Sequence, residues 1–229
     1  MAANGAEEPA KQKPTVEPAE VTVDPTRLVK IIDTIGFDII ENEAKQIHKL
    51  AQKGKQPIFL LLNSPGGSVA AGTTVLDAIN AAKHNGIQVK CVVGSLAASM
   101  AFVILTHCDE RYTLENSKLL FHPMSLSGRN MKVEHLATII PLMYASELAM
   151  KKRMRQALKM DEAKFDAHYR AETLWEAHEL AKESPGFLKI IKDIKGVPDI
   201  FTFTKPRRSI FGKSKPTSTR RPVLDPTWK

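Results

Sequence analysis

The sequence predicts an α/β domain built on a largely parallel sheet. Uninterrupted apolar runs of strand length alternate with segments of helical periodicity, and glycine-bearing loops follow two of the runs. With 229 residues, 43% of them hydrophobic, the chain can bury one sizeable core.

Residues 1–27 carry Pro9, Pro14, Pro18 and Pro25 among Ala, Glu and Lys. They hold too few large apolar groups to offset the entropy of ordering, so a disordered N-terminal segment is expected. Residues 28–35 suggest a first strand, and 41–52 an amphipathic helix through Ala44, Ile47 and Leu50. Residues 57–62 form a continuous apolar run, the pattern of a strand covered on both faces, and it ends in Asn63-Ser64-Pro65-Gly66-Gly67. A helix over 70–82 follows, then a second buried strand over 89–93 that Gly94-Ser95 breaks, then a helix over 99–106. Residues 111–114 and 118–122 read as strands. Residues 131–160 carry helical spacing through Leu136, Ile140, Met143, Met150, Met154 and Leu158. Pro141 falls inside this last helix, where it removes a hydrogen bond at a cost of about 3 kcal/mol unless it marks a kink or a new start. The folded domain is expected over 28–203, with a basic flexible tail over 204–229.

Charge narrows the function classes. The net charge is +8, but Lys205, Arg207, Arg208, Lys213, Lys215, Arg220, Arg221 and Lys229 face only Asp225 in the tail, so the rest of the chain is nearly neutral. A nucleic-acid-binding domain would show a basic stripe on its folded part, and nucleic acid is not expected as a partner. The acidic start lacks the apolar segment of a secretory signal. Residues 91–108 hold no Lys, Arg, Asp or Glu, but Ser95, Ser99, Thr106 and His107 and the break at Gly94-Ser95 suit a buried strand turning into a buried helix. No membrane is expected. Cys91 and Cys108 lie in apolar stretches without a disulfide-like pattern, so buried reduced thiols and a cytoplasmic setting are expected.

In parallel sheets, sites gather at the carboxyl ends of strands. Two loops qualify: Gly66-Gly67 and the segment from Gly94 to Met100. A hydroxyl nucleophile needs a base in reach and N–H groups aimed at the developing oxyanion. Ser99 opens a helix, where the N–H of Met100 points outward, and Gly67 allows a substrate close to its backbone. Taken alone, Ser99 is better explained as a helix cap and the glycines as a turn. His122 closes a predicted strand at the same sheet edge and is the candidate base. The Gly-x-Ser-x-Gly elbow of α/β-hydrolases is absent.

Together these residues resemble the proteolytic subunit of the Clp protease, a family of crotonase-like fold. The resemblance covers residues 28–187 and rests on Asn63-Ser64-Pro65-Gly66-Gly67, on Gly94-Ser95-Leu96-Ala97-Ala98-Ser99-Met100, and on Asn116-Ser117 before His122. It implies a βαβ superhelix with a long handle helix over 131–160. Ser99 matches the nucleophile, His122 the base, and the N–H groups of Gly67 and Met100 the oxyanion donors. The family's aspartate after the handle is matched by Glu172, with Asp166 as the alternative. Further departures are Ala101 where the family has glycine, Pro123 directly after His122, and a segment 1–27 unlike the family's axial loops.

The resemblance further implies serine endopeptidase action on extended polypeptides inside a homo-oligomeric ring, with an ATP-dependent unfoldase as partner and neither metal nor organic cofactor. Other readings are a specialised processing protease of the capsid-maturation kind, a crotonase-like acyl-CoA enzyme, and a non-catalytic ring subunit. The acyl-CoA reading gives no reason for Ser99 and His122 together.

Overall fold

The computed structural model describes residues 19–126 and 132–197. The expected basic tail over 204–229 and the first eighteen residues of the expected disordered segment lie outside the described residues. In chain order the elements begin with β1 (Ala19–Thr22), a single 3₁₀ turn (Pro25–Arg27) and β2 (Leu28–Ile32). A wide helical turn (Ile40–Ala44) leads into α1 (Lys45–Lys53), followed by β3 (Ile58–Ser64), α2 (Val69–His84), β4 (Val89–Ala98) and α3 (Met100–His107). The remainder is β5 (Glu110–Leu114), β6 (Lys118–Leu120), α4 (Val133–Leu158), α5 (Glu162–Arg170), β7 (Leu174–Glu176), α6 (Ala177–Glu183) and β8 (Lys189–Lys195).

The strands form one sheet in the order β1-β8-β5-β4-β3-β2, with β6 continuing beside β4 and carrying β7 on its other side. All pairings are parallel except β6 with β7. The α/β class and the parallel sheet predicted by the alternation of runs are therefore present. β3 sits between β2 and β4, and its residues Ile58 to Leu62 are buried on both faces, which is why it reads as an unbroken apolar run. The main core joins Val29, Ile31, Leu60, Leu62, Cys91 and Val93 of the sheet to the buried faces of α1, α2 and α3. On α2 that face is Ala71, Val75, Ala78, Ile79 and Ala82, spaced by three and four residues.

Four expectations change. Residues 19–27 are ordered, because β1 pairs in parallel with β8 and Arg27 is buried with its guanidinium bonded to backbone carbonyls. Residues 19–27 thus belong to the folded domain, as partners from the far end of the chain supply what local composition lacks. Second, Gly94-Ser95 does not end β4. The register jumps, with Leu62 facing Val93 but Ser64 facing Ala97, and the strand continues past the bulge to Ala98.

Third, α4 runs unbroken through Pro141. Ala137, whose carbonyl loses its helical donor, lies on the water-exposed part of that helix, where solvent replaces the missing partner. Fourth, Cys91 and Cys108 are joined in a disulfide, with Cα atoms 5.8 Å apart, instead of being reduced thiols. The chain turns back on itself through α3 and returns Cys108 to the side of β4. The cysteines therefore give the reducing-compartment expectation no support. No helix of the described residues is long and apolar enough to cross a membrane.

Candidate active site

The site is assembled by the parallel pairing of β4 with β6, in which Leu96, Ala97 and Ala98 face Lys118, Leu119 and Leu120. One step further, the Ser99 N–H donates to the Leu120 carbonyl at 2.9 Å. Ser99 and His122 therefore leave the sheet side by side at the carboxyl ends of neighbouring strands. The Asn63 side chain fixes the bulge that aims β4. Its Oδ1 accepts from the N–H groups of Ser95 and Leu96, both at 3.2 Å, and from the Ser95 hydroxyl at 2.6 Å.

Ser99 occupies an unusual backbone position, φ 54° and ψ −123°, which costs on the order of 1–3 kcal/mol for a residue with a Cβ. Its side chain makes no capping bond to α3, so the ordinary explanation of a serine at a helix start does not apply. The strain turns the side chain out at the strand-to-helix junction. Ser99 and His122 are both half-buried, placed between core and solvent.

Gly66 and Gly67 bring the Asn63 loop against this junction. A Cβ at Gly66 would stand 2.6 Å from the Ser99 Cβ and 2.8 Å from the Met100 N, so only glycine allows this approach. Gly67 bridges Ile35 in parallel, with Ile35 bonded to the carbonyl of Gly66 and the N–H of Ser68. In such a ladder the intervening residue turns its own N–H away from the partner strand, and Gly67 is one of the residues that line the cleft. Gly72 of α2 leaves the space that the Met100 side chain fills, seating the first turn of α3.

One cleft is lined by Gly67, Ser99, Met100 and His122, and walled by Val69, Val103, Phe121, Met150, Met154 and Tyr169. All four residues expected to carry acyl-transfer chemistry thus meet in one place. His122 Nδ1 lies 2.6 Å from the Pro123 carbonyl. A carbonyl only accepts, so Nδ1 carries the proton and Nε2 of the neutral ring is left as the basic nitrogen.

The acids are arranged otherwise. Glu172 is exposed just after α5, at φ 51°, and does not line the cleft. Asp166 is held by Lys151 at 2.7 Å and lies 3.8 Å from Arg170. Glu147 of α4, which the motif reading passed over, accepts from the Tyr169 hydroxyl at 2.8 Å and from the Met124 N–H at 3.3 Å. A signal for it was present: the spacing Ile140, Met143, Met150, Met154 forms an apolar stripe, and Glu147 interrupts it. Burial first, and then the bond and charge of Glu147, push the Tyr169 phenol above its usual range, so Tyr169 stays protonated as a donor. Among the described residues no group of three or more His, Cys, Asp or Glu side chains is placed to hold a metal ion.

Known proteins resemble this chain in sequence. The family model for Clp protease matches residues 20–188. An ATP-dependent Clp protease proteolytic subunit from Ligilactobacillus salivarius is 38% identical over 99 residues, 42% of this chain and 49% of the relative. The subunit of that name from Lactococcus lactis subsp. lactis is 32% identical over 111 residues, covering 47% of this chain and 52% of its own length. A proteolytic subunit 2 from Pseudomonas aeruginosa is 33% identical over 99 residues, 42% of this chain and 48% of the relative. The chain spans about half the length of the curated relatives it matches.

Proposed function

The chain belongs to the Clp protease family, and we propose that it is a serine endopeptidase that cleaves extended polypeptides. The observation that carries this reading is the cleft in which Ser99, His122, Gly67 and Met100 meet, with Ser99 freed from capping and strained outward. In the reaction, Ser99 Oγ attacks the scissile carbonyl as its proton passes to His122 Nε2. The N–H groups of Gly67 and Met100 take the charge of the tetrahedral oxyanion. The imidazolium returns the proton to the leaving amine, and water, activated by the same ring, releases the acyl group. The resemblance offers Glu172 or Asp166 for the third place; Glu172 is exposed, Asp166 is held by Lys151, and neither lines the cleft.

We also propose that copies of the chain assemble into a closed ring. Val133, Ile140, Tyr144 and Leu148 of α4 are exposed along one side of the helix, an apolar face of the kind that a second copy would cover. By the name of its relatives, an ATP-dependent unfoldase is the proposed partner.

The test is a serine-reactive fluorophosphonate probe applied to the parent, Ser99→Ala and His122→Ala. Labelling of the parent that is lost in both variants is the expected result, and labelling that survives in Ser99→Ala sinks the assignment. Native mass measurement reads the ring.

A further inference from the structure

We propose that Glu147 is the positioning acid for His122, acting through the peptide group between Pro123 and Met124. The proposal rests on the peptidase reading above. The C=O of that peptide accepts from His122 Nδ1 at 2.6 Å, and its N–H donates to Glu147 Oε1 at 3.3 Å. In a trans peptide these two groups point in opposite directions, so one planar unit joins the imidazole on one side to the carboxylate on the other.

The chemistry follows from that connection. A carboxylate at the N–H end draws positive charge toward itself and leaves the carbonyl oxygen more negative, hence a stronger acceptor for Nδ1–H. This favours the imidazolium that forms when Ser99 Oγ gives its proton to Nε2, which is the electrostatic part of a triad acid's work. The proton balance is simple. One proton moves from Ser99 to Nε2 and later to the leaving group, and the Nδ1 proton stays on the ring.

The surroundings hold Glu147 to this task. Tyr169 donates to the same Oε1 at 2.8 Å and stands in a column of rings, with Phe121 and Phe165 centred 5.2 Å apart and Phe165 and Tyr169 5.6 Å apart. Phe121 is the residue before His122, so acid, tyrosine and histidine are fixed to one packed unit. The other charged groups near it are Lys151, 5.1 Å from the Tyr169 ring centre, its partner Asp166, and Arg170 beyond. Each of these is engaged with another member of the group, which leaves the Met124 N–H and the Tyr169 hydroxyl to Glu147. Its position on the apolar stripe of α4 also needs such partners, since a carboxylate placed against apolar groups is costly unless hydrogen-bonded.

The experiment measures the rate of fluorophosphonate labelling at Ser99 against pH for the full chain and for Glu147→Gln, Glu147→Asp, Tyr169→Phe and Glu172→Gln. Gln keeps the shape and an accepting oxygen but not the charge. Its plateau rate is expected to fall by about tenfold, a part of the roughly 10²–10⁴ that a general base supplies. The acid limb of its profile moves to lower pH, because the imidazolium is no longer favoured. Asp keeps the charge, so its acid limb stays with the parent even where its shorter reach lowers the rate, and it provides the comparison should the Gln variant fold poorly. Tyr169→Phe, which leaves the carboxylate in place, shows the smaller change.

A Glu147→Gln profile that superimposes on the parent in rate and limb overturns the relay. So does a Glu172→Gln profile that shows the loss and shift expected of Glu147→Gln. A parent that fails to label at all overturns the underlying peptidase reading instead, and is told apart because it leaves no rate to compare.

Discussion

Gly66→Ala tests how closely Ser99 depends on the loop that faces it. Two effects add. Gly66 has φ +93°, a region that costs an L-residue about 1–2 kcal/mol. The new Cβ would also stand 2.6 Å from the Ala98 carbonyl oxygen and from the Ser99 Cβ, and 2.8 Å from the Met100 N, overlaps that typically cost about 1–3 kcal/mol as the backbone shifts. The sum is about 2–5 kcal/mol, or a fall in Tm of roughly 5–15 °C for a domain of this size. Gly86→Ala separates the two effects, since Gly86 has φ +72° but nothing within 4 Å of its Cβ position. That variant loses only the conformational part, offset in some measure by the lower entropy of its unfolded chain, for a net of about 1 kcal/mol.

The sharper readout is chemical. Relief of the Gly66 overlap displaces Ser99 and the Met100 N–H together, and a shift of about 1 Å at a reacting group costs on the order of 10²-fold. Thermal melts and fluorophosphonate labelling of the parent and both variants form the assay. Gly86→Ala labels at the parent rate and Gly66→Ala does not. A Gly66→Ala protein that melts with Gly86→Ala and labels like the parent refutes the argument that contact across the loop holds the site.

Two further predictions concern the frame. Arg27, 6% exposed, donates to the carbonyls of Leu50 at 2.6 Å and Gln56 at 2.5 Å, with Pro57 and Gly54 within 3.5 Å. Arg27→Ala orphans these acceptors, and chemical denaturation should show a loss of about 2–4 kcal/mol, whereas a loss under 0.5 kcal/mol would mean that water replaces the guanidinium freely. Glu110 is held down to about 2, first by Lys189, then by Lys90 and Tyr112, which tie β5 to β8 and β4. Because its folded value is depressed below the ordinary 4.5, its contribution is present above that pH and is lost as pH falls toward 2. Parent and Glu110→Gln melts should therefore differ at pH 7 by a few degrees and converge across this window, and a gap constant down to pH 2 contradicts the linkage.

The parts of the fold written in contiguous apolar residues were legible in the sequence. β3 and the first half of β4 are buried almost entirely, so their sequences carry little besides apolar groups, and α2 shows itself by the three- and four-residue spacing of its buried face. β8 reads Lys-Ile-Ile-Lys-Asp-Ile-Lys and alternates with charge, and β1 is a four-residue strand whose partner lies at the other end of the domain. Neither has local content enough to declare itself: β8 is held between β5 and β1, and β1 is held by β8.

The site divides in the same way. Ser99, His122, Gly67 and Met100 sit at strand ends and helix starts, where topology alone makes them neighbours. Glu147 comes from the middle of a helix and reaches His122 only through a backbone amide, so no catalytic motif marks it. Its one trace was an acid on an apolar stripe. Glu172 was legible as a match to a pattern, and the structure leaves it exposed.

The hydrogen bond from Ser99 to Leu120 also sets an order of events. During synthesis the N-terminal part of a chain appears first, and a contact can form only after both partners exist. When α3 emerges, β6 has not been made, so nothing holds Ser99 in its strained conformation and there is no imidazole beside it. The tether from α4 to Met124 comes later still. A ribosome-bound chain therefore carries the serine without the rest of the cleft, and the residues that line it come together only with the completed domain.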